Sequence, residues 1–201
     1  MKLIKQSHEI ITPLDGEAIL KHIELCGRVC YKSEDKITED SARKFVEKLI
    51  RLGHESVLEH YSFTVRFVCN RAIANEIVRH RHCAYSQEST RYVAYDSDVT
   101  AIECEDIDLW GGIYMQSIIN AEKAYYALRK TGATAQMARD VLPLGLKTEL
   151  IVTTNLREWR HILRLRTSAA AHPQMRQLMS GLLQELKTKI PVVFDDISID
   201  K

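Results

Sequence analysis

The chain has 201 residues, 45% of them hydrophobic and 27% charged, with a formal net charge of +1. That length and balance describe a soluble globular protein with one domain spanning 1–201, and near-neutrality excludes a generally basic nucleic-acid binder; any positive field must come from local clustering. No apolar run approaches the roughly 20 residues of a membrane span, and MKLIKQSHEIIT is polar where a secretory signal is apolar, so a cytoplasmic protein is expected.

In chain order, Leu3 to Thr12 reads as a strand, closed by the turn residues Pro13 and Gly16. From Asp15 to about Arg28, Ala18, Ile19, Ile23 and Cys26 recur at helical spacing. Thr38-Glu39-Asp40-Ser41 supplies N-cap chemistry for a second helix with a core face of Phe45, Leu49 and Leu52, and Gly53 is placed to stop it. Tyr61 to Cys69 alternates, with Phe63, Val65, Phe67 and Cys69 on one face and Ser62, Thr64 and Arg66 on the other, as a half-buried strand does.

Ala72 to about His80 returns to helical period through Ile73 and Ile77, and a longer helix is predicted over 113–130, broken at Thr131-Gly132. Leu142-Pro143-Leu144-Gly145 ends another short helix. Glu149 to Thr154 is apolar and β-branched, a strand, and the last two helices are predicted over 155–166 and 173–190. Few strands, several helices and no regular βαβ alternation predict an α+β fold with a small, mostly antiparallel sheet. Cys26, Cys30, Cys69, Cys83 and Cys104 are odd in number and scattered, so they read as reduced and mostly packing residues.

Chemistry concentrates in RHRHCAYSQESTRY, residues 79–92. Glu76, Arg79 and His80 stand at i, i+3 and i+4 and so share one helical face. Arg81 and Arg91 then add charge beside the hydroxyls of Ser86 and Ser89 without adjacent acids. Guanidinium forks match phosphates and planar carbonyls, so this segment suits a phosphorylated, planar ligand. Ser89 has no G-x-S-x-G elbow around it and reads as a ligand contact, not a nucleophile. The histidines of GHESVLEH are six apart, not at the i, i+4 of a zinc protease, and His80/His82 lacks further ligands nearby, so no metal is expected. Arg157, His161 and Arg164 share a helical face opposite Leu156, Trp159 and Leu163; that face is either a nucleic-acid stripe or half of a nucleotide pocket. Arg139 by itself reads as a surface charge.

The RHR-x7-S run resembles the signature of the flavin-dependent thymidylate synthases, the ThyX family. GRVCYKS (27–33), GHESVLEHYSFTV (53–65) and RDVLPLGLKTELIVTTNLREWRHILRLR (139–166) are similar to further family blocks in the same order. The resemblance implies a ThyX-like fold and a methyltransferase that converts dUMP to dTMP. It also implies methylenetetrahydrofolate as carbon donor, FAD as redox cofactor, NADPH as reductant, and a homotetramer with shared active sites. It assigns Ser56, Arg79, His80, Arg81, Gln87, Asn155, Arg157 and His161 to FAD. Glu76, Arg79, Gln87, Ser89, Thr90, Arg91, Arg139 and Arg166 go to dUMP. The resemblance also implies that Arg166 is the catalytic residue, held at the pyrimidine to favour ionisation at N3, and that no cysteine nucleophile is used. Where members often carry Gln and Asn, this chain has Glu76 and His161; where they often carry Ser and Asn, it has Ala84 and Ser86. The competing expectation is a small RNA- or DNA-binding module built on the two arginine clusters, against which stands the near-zero net charge.

Overall fold

A computed structural model of the chain describes residues 1–95 and 98–199. The strands are β1 Lys2–Ile4, β2 Ser7–Ile10, β3 Ser62–Asn70, β4 Ala84–Gln87, β5 Thr100–Ile102 and β6 Lys147–Asn155. The helices are α1 Gly16–Val29, α2 Ser41–Arg51, α3 Arg71–Ile77, α4 Ile107–Lys130, α5 Ala135–Ala138, α6 Leu156–Arg166, α7 Pro173–Lys189 and α8 Pro191–Phe194. Short 3₁₀ turns occupy Glu34–Lys36, Glu55–His60 and Arg139–Val141. The fold is α+β, with a two-stranded sheet β1-β5 and a four-stranded sheet in the order β2-β3-β6-β4. Thr64 bonds Thr153, and Arg66 pairs with Glu149, so β3 and β6 run in opposite directions.

Two compact units divide the chain. The first comprises Met1–Ser7, Arg66–Arg81 and Tyr85–Ile151. In it β1 pairs in parallel with β5, Leu3 opposite Ala101. Val99, Ala101, Ile118 and Leu146 form a core cluster packed by Leu3, Tyr95 and Tyr114. The Tyr114 hydroxyl donates to the Ile102 carbonyl at 2.7 Å, and a Cβ at Gly145 would sit 2.1 Å from that hydroxyl, so the 142–145 turn ends in the residue that leaves it room. α4 begins at Ile107, six residues before its predicted start, because Ile107 to Gly112 carries no clear period.

The second unit comprises His8–Val65, His82–Ala84 and Val152–Lys201. Trp159 stacks on Phe63 with centroids 5.1 Å apart and donates its indole N–H to the Phe63 carbonyl, fixing α6 against β3. α2 stops as predicted: Gly53 has φ 73°, the His54 N–H reaches the Leu49 carbonyl and the Gly53 N–H reaches that of Ile50, which is a Schellman cap. The core face of α2, however, is Ala42, Val46 and Leu49; Phe45 is only partly buried and Leu52 is exposed. Phe45 turns toward α1 instead, where the Arg28 guanidinium lies 4.2 Å over its ring and Gly27 leaves space for it.

The predicted strand over 3–12 is two strands, β1 and β2, with different partners. All five cysteines are free, but only Cys69 is buried and Cys30 is exposed, so most do not serve the core. Among the described residues no helix is long and apolar enough to cross a membrane.

Candidate active site

In the second unit the site grows from one strand–helix corner. β6 buries Val152 and Thr154, ends at Asn155, and α6 starts because the Asn155 carboxamide oxygen accepts the Glu158 N–H at 2.9 Å. α6 then buries Leu156, Trp159 and Leu163, as predicted, together with Ile162, and leaves Arg157, His161 and Arg164 on the exposed face. These three line a cavity of about 570 Å³ together with Glu55, Glu59, His82, Asn155 and Glu158. A second cavity, about 390 Å³, holds Ser56 and His54 and shares Glu55 and Arg157 with the first. Ser56, Asn155, Arg157 and His161 are therefore brought onto two linked cavities. Arg157 is tied to Glu59 by an exposed ion pair of 2.5 Å.

Arg166, the last residue of α6, is partly buried and lines neither cavity. Beneath the exposed face, Arg160 is fully buried. It grips Asp196 with two 2.7 Å bonds, reaches Glu55 at 3.0 and 3.2 Å, and donates to the Val193 carbonyl. Burial pushes the Asp196 carboxyl up, but the hydrogen bonds and charges of Arg160 and then Arg164 outweigh it and hold the group below 3.8.

In the first unit, Asn70 caps α3 by accepting the Ile73 N–H at 2.8 Å. α3 ends at Ile77, so Arg79 and His80 are not on a continuing helical face with Glu76; they lie in a tight turn in which the Arg79 N–H bonds the Glu76 carbonyl and that of His80 bonds Ile77. The Tyr85 hydroxyl explains the exit, standing 2.9 Å from the Ile77 carbonyl and 2.6 Å from that of His80. Arg79 and Arg81 are exposed while His80 is buried.

Beyond β4, the Ser89 hydroxyl accepts the Arg91 N–H and its carbonyl accepts from Tyr92 and Val93, a compact turn that buries Thr90. Arg91 donates to Gln136 at 3.0 Å, three residues before Arg139 on the run from α5 into its 3₁₀ turn. Arg139 is exposed. Gln87 donates to Thr148 at 3.3 Å and lines a cavity of about 410 Å³ with Glu88, Lys147 and Glu149.

Lys147 is held by Glu88 at 2.9 Å and Glu149 at 2.6 Å, and Tyr95 donates to Glu88 at 2.9 Å. Partial burial pushes the Lys147 ammonium down, but its bonds to the two carboxylates overcome that and raise it. The Lys147 bond holds Glu149 below its ordinary value. Arg160, Glu55, Glu88, Tyr95 and Lys147 escaped the sequence reading. The one available signal was Lys147 and Glu149 two apart on a strand, which puts them on one face.

A polar cavity lined by Arg157 and Arg164 from one helix face has the equipment to hold an anionic ligand. Residues 16–192 match the family described as thymidylate synthase complementing protein. Among curated relatives, the flavin-dependent thymidylate synthase of Mycolicibacterium vanbaalenii is 36% identical over 209 residues, covering 94% of this chain and 82% of the relative. That of Geobacter sulfurreducens is 34% identical over 197 residues, covering 89% and 85%. A crystal structure of the UMP/dUMP methylase PolB from Streptomyces cacaoi, bound with 5-Br dUMP, superposes with a TM-score of 0.82 at 22% identity, covering 97% of this chain and 96% of that one, and shares the fold. The chain belongs to the thymidylate synthase complementing family, that of the flavin-dependent thymidylate synthases.

Proposed function

We propose that the chain is a flavin-dependent thymidylate synthase, converting dUMP to dTMP with methylenetetrahydrofolate as carbon donor, FAD as cofactor and NADPH as reductant. One observation carries this reading: Ser56, Asn155, Arg157 and His161 lie on two cavities that share Arg157. The donor set fits an anionic dinucleotide. Arg157 and Arg164 offer guanidinium forks to phosphates, and Asn155 has spent only its oxygen on the helix cap, which leaves its amide N–H groups to donate. The Arg157–Glu59 pair is exposed and weak, so it can exchange its partner for a ligand. FAD held there, once reduced by NADPH, would supply the hydride that completes the methyl group.

The remaining chemistry belongs to the protein. Arg91 and Arg139 hold the dUMP phosphate, supported by the Gln136 link between Arg91 and the turn that carries Arg139. Arg79, Arg81 and the buried His80 lie against FAD with Arg79 also reaching the nucleotide, Glu76 accepts from Arg79 or a ribose hydroxyl, and Gln87, Ser89 and Thr90 flank the nucleotide. Arg166 stabilises negative charge at N3 of uracil, making C5 electron-rich, the logic of preorganised electrostatics. No thiol attacks the ring in this scheme. Burial pushes the Cys69 thiol up to about 12 and raises that of Cys104, which makes both poor nucleophiles. The reading includes a cytoplasmic homotetramer; the exposed Leu109, Trp110 and Ile113 on α4 offer apolar surface for assembly.

The test is the visible absorption of the purified protein with added FAD, before and after dUMP. Flavin bands that survive desalting and change shape with dUMP are expected. A protein that takes up no FAD while binding a polynucleotide would defeat the proposal.

A further inference from the structure

Arg160 has no place in the family resemblance, yet it makes five hydrogen bonds, to Glu55, Asp196 and the Val193 carbonyl. We infer that Asp196, through Arg160 and Arg164, is a positioning residue that sets the Glu55-Ser56 wall of the proposed flavin cavities; the inference rests on that assignment of the cavities.

The geometry is a closed cluster of two acids and two arginines. Asp196 holds both forks of Arg160 at 2.7 Å and one nitrogen of Arg164 at 3.0 Å. Both arginines turn their remaining donors onto a single atom, Glu55 Oε1. Arg160 reaches it at 3.0 and 3.2 Å, and Arg164 at 3.3 Å from each terminal nitrogen. Glu55 opens the 3₁₀ turn Glu55–His60 and is the acid shared by both cavities.

A short turn next to a glycine at positive φ has little rigidity of its own. Val57 and Leu58 bury the middle of the turn, while its first residue, Glu55, is placed by the cluster, which is anchored at the end of α8 and the segment after it, where Phe194 and Ile197 are buried. Asp196 lines neither of these two cavities; it acts at a distance by fixing where two guanidinium groups point. Conversely, Arg164 lines the larger cavity, so the same carboxylate determines how much of its fork is turned inward.

Charge and positioning predict opposite signs, which makes the inference testable. The cluster is neutral with two acids and two arginines. Asp196→Asn leaves it with an excess positive charge, which by Coulomb attraction alone tightens an anionic dinucleotide. Loss of positioning loosens it. The experiment measures FAD affinity by flavin fluorescence, and amide hydrogen exchange in the protein without added flavin, for wild type, Asp196→Asn and Asp196→Glu.

The expected result in Asp196→Asn is roughly tenfold weaker FAD binding and about tenfold faster exchange over 55–60, with protection over β6 retained. Asp196→Glu recovers both in part. Unchanged or tighter FAD binding in Asp196→Asn overturns the inference, as does unchanged exchange over 55–60. Should Asp196→Asn lose β6 protection as well, Arg160→Lys, which keeps the charge and removes the fork, takes its place under the same criteria. Wild-type protein that takes up no FAD defeats the proposed function instead, and the exchange rates alone then decide whether Asp196 holds the turn.

Discussion

β3 into α3 and β6 into α6 are the same device used twice. Each is a nine-residue alternating strand that ends in an asparagine, and each asparagine caps the next helix through its side-chain oxygen. They part at the far end. α3 stops after seven residues and releases Arg79-His80-Arg81 into a turn, whereas α6 runs for eleven and presents Arg157, His161 and Arg164 at helical spacing. The difference lies beneath the helices. α6 continues because Trp159, Ile162 and Leu163 are buried and Arg160 is anchored below them; α3 has buried Ile73, Ala74 and Ile77 and then meets the Tyr85 hydroxyl. One corner builds a continuous helical face and the other a hydrogen-bonded turn, two ways of aiming basic groups.

The strongest way to break the α6 corner is to remove its anchor. Arg160→Ala leaves Asp196 and Glu55 with Arg164 as their remaining partner and empties a fully buried site, and is expected to lower stability by about 3 kcal/mol; the thermal midpoint then drops by roughly 6–12 °C. A midpoint within a degree or two of wild type would show that the buried cluster does not hold α6. Arg166→Ala, at the end of the same helix, is expected to lower kcat for dTMP formation by about 10²–10³ while flavin stays bound. Retained turnover would remove Arg166 from its assigned role.

The two caps give a sharper, smaller contrast. Asn70→Ala and Asn155→Ala each remove one helix-capping bond, worth about 1 kcal/mol in denaturant unfolding. Only Asn155→Ala is expected to weaken flavin binding as well, and equal effects of both on flavin would erase the distinction between the corners. The smallest effect concerns acid. Asp196 is held below its ordinary value in the folded chain, so its contribution to stability is complete above the usual carboxylate range and fades as pH falls through the lower folded value. Asp196→Asn is expected to flatten the acid limb of a stability–pH profile, and an unchanged limb would place that dependence elsewhere.

What the sequence revealed follows the same contrast. The α6 face was legible because Leu156, Trp159 and Leu163 mark a core stripe, so the three basic residues opposite were located by period alone. The end of α3 was not legible, since Arg79 and His80 suit a further helical turn, and what stops it is a tyrosine hydroxyl from the next strand. That strand, AYSQ, has neither alternation nor β-branching; its pairing with β6 makes it a strand. Arg160 was invisible for a different reason. A basic residue in LREWRH reads as solvent-facing, and only the acids supplied by residues 55 and 196 make its burial tolerable. The anion-binding character of residues 79–91 was legible from composition, but its assignment to particular ligands came from the resemblance.

Tyr85 carries a consequence of its own. A single phenolic hydrogen stands between two carbonyl oxygens, those of Ile77 and His80, and it can point squarely at only one of them at a time. Phenylalanine would fill the same space and leave both oxygens without it. The spelling of the arginine-rich signature is therefore constrained at a letter that the ligand assignment passes over, and a substitution that looks conservative by size would misdirect the whole word.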